Sequence, residues 1–150
     1  MQVSTASLYT LVNAMRIAQM VQVSTAPLLW LGGLALIASA VYLFVYTRVT
    51  AHNEFELVRR NIPGAAISLG LSLLGFALPV ASAIAYAMDI LDCAVWSVVA
   101  LIVQIIVYFI ARIPVPDLSR RIEEGELAPA IWLGLASLSA GVLNAASMAY

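Results

Sequence analysis

The strongest constraint on this chain is where its charges are missing. Leu28 to Thr47, Asn61 to Met88, Cys93 to Ala111 and Leu127 to Tyr150 contain no aspartate, glutamate, lysine or arginine. Roughly 20 apolar residues, rising about 1.5 Å each in a helix, cross the hydrocarbon core of a bilayer. Each run is long enough. Lipid offers no partner to an unpaired backbone amide, so a spanning segment is either helical or part of a closed barrel. A barrel needs many short strands of alternating polarity, whereas these runs are continuously apolar. The expected fold class is therefore all-α, a polytopic membrane protein with four transmembrane helices. Composition agrees: 63% of the 150 residues are hydrophobic and 10% charged, where a soluble domain carries about a quarter charged residues.

Most of the remaining charge is gathered in two polar elbows, residues 48–61 (RVTAHNEFELVRRN) and 112–125 (RIPVPDLSRRIEEG). Arg48, Arg59 and Arg60 lie in the first, and Arg112, Arg120 and Arg121 in the second. The loop between the second and third spans carries Asp89 and Asp92 and no basic residue. Arginine close to spans marks the cytoplasmic side. The elbows are expected in the cytoplasm and both termini outside, with Arg16 the lone dissenting charge. Trp30, Tyr86, Trp96 and Tyr150 fall near the expected outer ends, and Tyr46, Tyr108 and Trp132 towards the inner ends. All seven read as interfacial anchors, since a ring with a polar tip settles at the headgroup boundary.

The two elbows are related by a shift of 64 positions, Arg48 to Arg112. The same shift matches Ala66, Ile67, Leu69, Gly70, Leu71 and Leu74 with Ala130, Ile131, Leu133, Gly134, Leu135 and Leu138. Residues 27–90 and 91–150 thus read as two parallel two-helix repeats, related by a pseudo-two-fold along the membrane normal. Turn chemistry repeats as well. Asn53 and Asp117 are N-cap residue types, and Asn61 and Gly125 tolerate the left-handed backbone that closes a helix. Short interfacial helices are expected at 54–60 and 118–124. Phe55 with Val58, and Leu118 with Ile122, would face lipid or the bundle.

Small residues recur along the second and fourth spans: Ala66, Gly70, Ala77 and Ala81, then Gly134, Ser137, Gly141 and Ala145. Such residues let helix backbones approach closely in lipid. They place the second and fourth spans at the centre, turn the first and third towards lipid, and predict a homo-oligomer. Gly75 and Pro79 should bend the second span. Residues 1–26 form an N-terminal tail in which QVSTA occurs twice, at 2–6 and 22–26. Leu8, Leu11, Val12 and Met15 sit at helical spacing there, as in an interfacial helix, and Met20 is an alternative start.

The string YTRVTAHNEFELVRRNIPGAAISLGLSLLGFALPVASAI, with ALIVQIIVYFIAR and AGVLNAASM later in the chain, resembles the YjfL-type family. These are small bacterial inner-membrane proteins with a twofold domain of unknown function. The resemblance runs over about residues 28–150. It is most specific at His52 to Glu54, Gly75 to Pro79 and Leu143 to Ser147. It implies four helices and the inner membrane, and it supplies no reaction, substrate or cofactor. Members are often encoded beside a PspA-like membrane-remodelling protein and an ATP-grasp ligase, which implies an envelope-associated role.

Reactive chemistry finds little support in the residues. Cys93 is the only cysteine and His52 the only histidine, and one ligand of each kind does not make a metal site. No catalytic, cofactor-binding or metal-binding residue is assigned, and no enzyme activity is expected. Seven scattered arginines without lysine do not form a nucleic-acid face. The deep polar residues, Ser68, Ser72, Gln104, Ser137, Ser139 and Asn144, do not ionise, so proton coupling through the bundle is not expected. Gln104 and Asn144 read first as interhelical hydrogen-bond formers, worth about 0.6 kcal/mol each. Arg48, Arg59, Arg60, Arg112, Arg120 and Arg121 are candidate contacts to membrane lipid, anionic lipid included, or to a protein partner. Glu54 and Glu56 read as a solvated face paired with Arg59 and Arg60. Three function classes follow. The first is an oligomeric scaffold or partner-docking protein of the cell envelope. The second is an oligomeric channel or carrier with a path lined by serines, Gln104 and Asn144. The third is a structural subunit of a larger membrane complex.

Overall fold

A computed structural model describes residues 5–50, 54–87 and 89–148 of the chain. Every regular element among them is helical: α1 (Thr5–Val49), α2 (Glu54–Arg59), α3 (Pro63–Tyr86), α4 (Ile90–Arg112), α5 (Leu118–Glu123) and α6 (Leu127–Ala146). Four segments are long and apolar enough to cross a membrane: Leu29–Val49, Pro63–Tyr86, Ile90–Arg112 and Leu127–Ala146. They coincide with the four charge-free runs. The chain divides into two compact units, residues 1–34 and 35–150. In the first, α1 is helical on both sides of Pro27, and its side chains from Tyr9 to Arg16 are exposed. The helix does not stop where the tail was expected to end.

Within the second unit the boundaries have local causes. Pro63 opens α3 at a position where a missing N–H costs nothing. Asp89 caps α4, its carboxylate accepting from the Asp92 amide at 2.7 Å. The elbow helices α2 and α5 close in the same way, 64 residues apart. Asn61 N–H donates to Val58 and Ile62 N–H to Leu57; Gly125 N–H donates to Ile122 and Glu126 N–H to Arg121. This double closure needs a left-handed residue, supplied by Asn61 (φ 60°) and Gly125 (φ 90°). The N-termini of the elbow helices behave differently. Asn53 lies outside the described residues. Asp117, expected as a cap, is itself left-handed (φ 53°) and makes no side-chain cap bond, because capping requires the extended region. Its carboxylate instead lies 3.6 Å from Arg120.

Helices α3 and α6 form the most intimate contact, and they run parallel. Gly64 meets Ala130, Leu71 lies over Gly134, and Gly75 meets Ser137 and Gly141 further along. A Cβ added to Gly134 would sit 2.6 Å from Leu71 Cδ1. One added to Gly141 would overlap the Gly75 backbone, with Gly75 Cα only 2.6 Å away. The Gly75 carbonyl is the one that Pro79 cannot satisfy, since proline carries no N–H at that point in the ladder. α3 is continuous through Pro79, which is buried. The close approach explains why glycine stands at 75, 134 and 141. By contrast, large rings join α1 to the bundle: Tyr42 stacks on Phe76 at 4.5 Å and Tyr46 meets Tyr108 edge-on at 6.0 Å.

Candidate functional site at the elbow end

One apolar cluster brings both elbows to the same end of the bundle. Leu57 of α2 and Leu118 and Ile122 of α5 pack together with Ala65, Tyr108, Ala111, Ala130 and Leu133, at the ends of α3, α4 and α6. The buried stripe of α5 is Leu118, Ser119 and Ile122, as helical spacing requires of an interfacial turn. Phe55 and Val58 of α2 point outward instead.

The six arginines are not equivalent in this setting. Arg60 is bound to Glu56 at 3.1 Å, Arg120 lies 3.6 Å from both Asp117 and Glu124, and Arg121 binds Glu126 at 2.6 Å. The last pair holds the Glu126 carboxyl below its ordinary range and raises Arg121, through the hydrogen bond between them. Arg48 sits over the Phe44 ring at 4.5 Å and Arg112 over Tyr108 at 5.7 Å. Arg59 is exposed. Arg112 and Arg120 also share a hollow of about 220 Å³ with Ser119, Asp117 and Glu123. The arginine set is thus partly neutralised, and Arg112 and Arg120 are brought to one cavity.

Two expectations about polar residues need correction. Tyr46 and Tyr108 do not anchor the protein at the lipid boundary, because both are buried. Their hydroxyls are satisfied inside the bundle, Tyr46 with Ser72 at 3.2 Å and Tyr108 with Ser119 at 3.1 Å. Nor does Glu54 belong to a solvated face. It is fully buried. Of the pairing expected of the first elbow, Glu56 with Arg60 is seen, at 3.1 Å. Sequence reasoning missed the burial of Glu54, although one signal was available: at the 64-residue shift Glu54 corresponds to Leu118, which is also fully buried.

Deeper in the bundle, Gln104 Nε2 donates to the Ser137 carbonyl at 3.0 Å and bridges α4 to α6. Gln104 Oε1, Ser137 Oγ and Asn144 Nδ2 are buried without hydrogen-bond partners. Ser68 bonds its own helix, at the Ala65 carbonyl, and Ser139 is exposed. No hydrogen bond joins Gln104 to Asn144 among the described residues. Of the small residues, Gly134 and Gly141 are buried in the α3–α6 contact, and Ala77 and Ala145 are half-buried. Gly70 and Ala81 face outward. No group of His, Cys, Asp and Glu suited to a metal occurs among the described residues.

Comparison with known proteins places this architecture. Residues 14–148 match the Domain of Unknown Function (DUF350), so the match begins inside the tail that the residue-level resemblance left out. The chain is 34% identical over 110 residues to the UPF0719 inner membrane protein YjfL of Escherichia coli (strain K12), covering 73% of this chain and 83% of that protein. The protein of the same name from Escherichia coli O157:H7 matches to the same extent, 34% over 110 residues. No solved structure matches the chain. With four apolar spans and inner-membrane relatives, the chain is a multi-pass protein of the bacterial inner membrane and belongs to the DUF350 family.

Proposed function

We propose that this protein is a non-enzymatic membrane scaffold of the cell envelope that assembles from copies of itself and presents its elbow end to anionic lipid. One observation carries the reading. The contact between α3 and α6 inside one chain has a vacant counterpart on the outside. Shifted by 64 positions, the internal pair Leu71 and Gly134 becomes Leu135 and Gly70, and the pair Gly64 and Ala130 becomes Ala128 and Ala66. All four of these counterparts are exposed, and a Cβ on Gly70 would meet nothing within 4 Å. A two-fold axis within the chain would have brought Leu135 onto Gly70 already. Left free, the pair fits a head-to-tail contact in which α6 of one copy lies on α3 of the next, the geometry that closes into rings. Small residues facing lipid are what such helix association uses.

The lipid part of the proposal rests on Arg112, which shares a hollow with Ser119, Arg120 and the acids Asp117 and Glu123, with cytoplasmic orientation following from the arginine bias. A channel or carrier path would have to arise between copies, because Gln104 is tied to Ser137 and Ser72 to Tyr46 within the chain. The test is particle mass in nanodiscs. Wild-type protein should give several chains per particle, and Gly70→Leu should give one with its helicity unchanged. A wild-type particle holding a single chain would refute the assembly.

A further inference from the structure

We propose that the bundle binds a water molecule at mid-depth, between α3, α4 and α6, through Gln104, Ser137, Asn144 and the main-chain carbonyl of Gly75. The inference goes beyond the scaffold reading and does not depend on it. Four polar groups meet around the crossing of Gly75 and Gly141, near the middle of the spans. The Gln104 amide lies over Gly75: its Nε2 is 3.0 Å from the Ser137 carbonyl oxygen and 2.7 Å from where a Gly75 Cβ would stand. Gln104 is 1% and Ser137 0% exposed, and Gln104 Oε1 and Ser137 Oγ have no hydrogen-bond partner among the described residues. Asn144 Nδ2 is buried without a partner as well. It stands one turn beyond Gly141 on α6, and helical side chains lean back towards the N-terminus, which carries its amide towards the crossing. The fourth group is the Gly75 carbonyl. It lies against Gly141, and its helical donor would be the N–H that Pro79 lacks.

The mixture of donors and acceptors selects the ligand. Gln104 Oε1 and the Gly75 carbonyl only accept, Asn144 Nδ2 only donates, and the Ser137 hydroxyl does either. A hard cation takes oxygen ligands and would meet the Asn144 N–H groups. An anion would meet two carbonyl oxygens. Water donates twice and accepts twice. It can donate to Gln104 Oε1 and to the Gly75 carbonyl while accepting from Ser137 Oγ–H and Asn144 Nδ2–H. Buried waters typically make about three such bonds to otherwise unsatisfied groups. In a membrane, ordered water is also one of the means by which a carbonyl freed by proline is satisfied. With glycine at both 75 and 141, no side chain at either position screens that carbonyl from the polar groups of α6. The crossing itself is closed by backbone contact, so the water lies on its flank.

The experiment is proton-detected solid-state NMR of the full chain, uniformly labelled with 13C and 15N, in lipid bilayers, with magnetisation transferred from water. Transfer should reach the side-chain amides of Gln104 and Asn144, each assigned through its own backbone. It should be lost at Ile102 and Leu74, which lie at similar depth and face outward. Pro79→Ala returns an N–H to the Gly75 carbonyl, so transfer to Asn144 should fall while the bond from Gln104 to Ser137 remains. The wild-type spectrum decides the matter even if that variant does not fold. The proposal falls if both wild-type amides are as dry as Ile102 and Leu74, which would leave the four groups unpaired or satisfied by rotation of their own side chains. It falls equally if Pro79→Ala leaves transfer to Asn144 unchanged, because the Gly75 carbonyl then holds nothing. A shift of the Gln104 and Asn144 signals when sodium in the buffer is replaced by choline would identify an ion instead and overturn it.

Discussion

Replacing Gly141 by alanine adds a single methyl, and the structure assigns it a specific cost. The new Cβ would lie 2.6 Å from Gly75 Cα and carbonyl carbon and overlap the carbonyl oxygen. Carbon atoms in contact sit about 3.5–4 Å apart, so the two backbones must separate by about 1 Å. No rotamer change can relieve the clash, since the atoms met are main chain. Separation would also loosen Leu71 over Gly134 and stretch the bond from Gln104 to Ser137. Overpacking costs about 1–3 kcal/mol, and a main-chain clash belongs at the top of that range. Better helix propensity of alanine returns up to about 1 kcal/mol. The net loss is about 2 kcal/mol, roughly thirtyfold in the folding constant. Gly70→Ala is the control, because nothing lies within 4 Å of its Cβ and only the propensity gain remains. Reversible unfolding by SDS in excess detergent, followed by circular dichroism, measures both. If Gly141→Ala proves as stable as wild type, the parallel α3–α6 contact is wrongly described.

Gln104→Leu should change stability by less than about 1 kcal/mol in the same assay, since the amide makes one bond and leaves Oε1 unpartnered. Arg112→Gln should reduce retention of anionic lipid in native mass spectrometry and flatten its salt dependence, while Arg60→Gln, already neutralised by Glu56, should not. The Glu126 carboxyl is held low by Arg121, so the α5–α6 pair should persist at neutral pH and be lost only as pH falls below the ordinary carboxylate range; amide exchange at Gly125 and Leu127 should rise there in wild type, and at all pH values in Glu126→Gln. Cysteines introduced by Phe55→Cys and by Glu123→Cys should label from one face of the membrane and Ile90→Cys from the other; labelling of the first two from opposite faces would overturn the shared elbow end.

The spans were legible because charge-free length is a property of composition that lipid enforces directly. The closures at Asn61 and Gly125 were legible for a similar reason, since few residues tolerate a positive φ. Faces of the short elbow helices were not. A six-residue helix offers too few positions for periodicity to decide its orientation, so Glu54 read as solvated beside Glu56 and three arginines. Comparison with Leu118 at the equivalent position would have reversed that reading. Tyr46 and Tyr108 misled in another way. A tyrosine near a span end is equally suited to the headgroups or to an inward hydroxyl, and only the partners Ser72 and Ser119, distant in sequence, distinguish the two. Asp117 was lost to backbone conformation, which residue type alone does not set.

Cysteine cross-linking between positions 70 and 135 tests the assembly most directly. In the internal contact a Cβ on Gly134 lies 2.8 Å from Leu71 Cβ, so repetition of that contact between copies should bring 70 and 135 to about the 3.5–4.5 Å that a disulfide spans. With the native thiol removed by Cys93→Ala, the double variant Gly70→Cys with Leu135→Cys should give a ladder of linked chains when membranes are oxidised, and neither single variant should. Leu71→Cys with Gly134→Cys should link within one chain. If that internal link forms and the double variant at 70 and 135 stays monomeric, the outward face is not an assembly surface and the scaffold account fails.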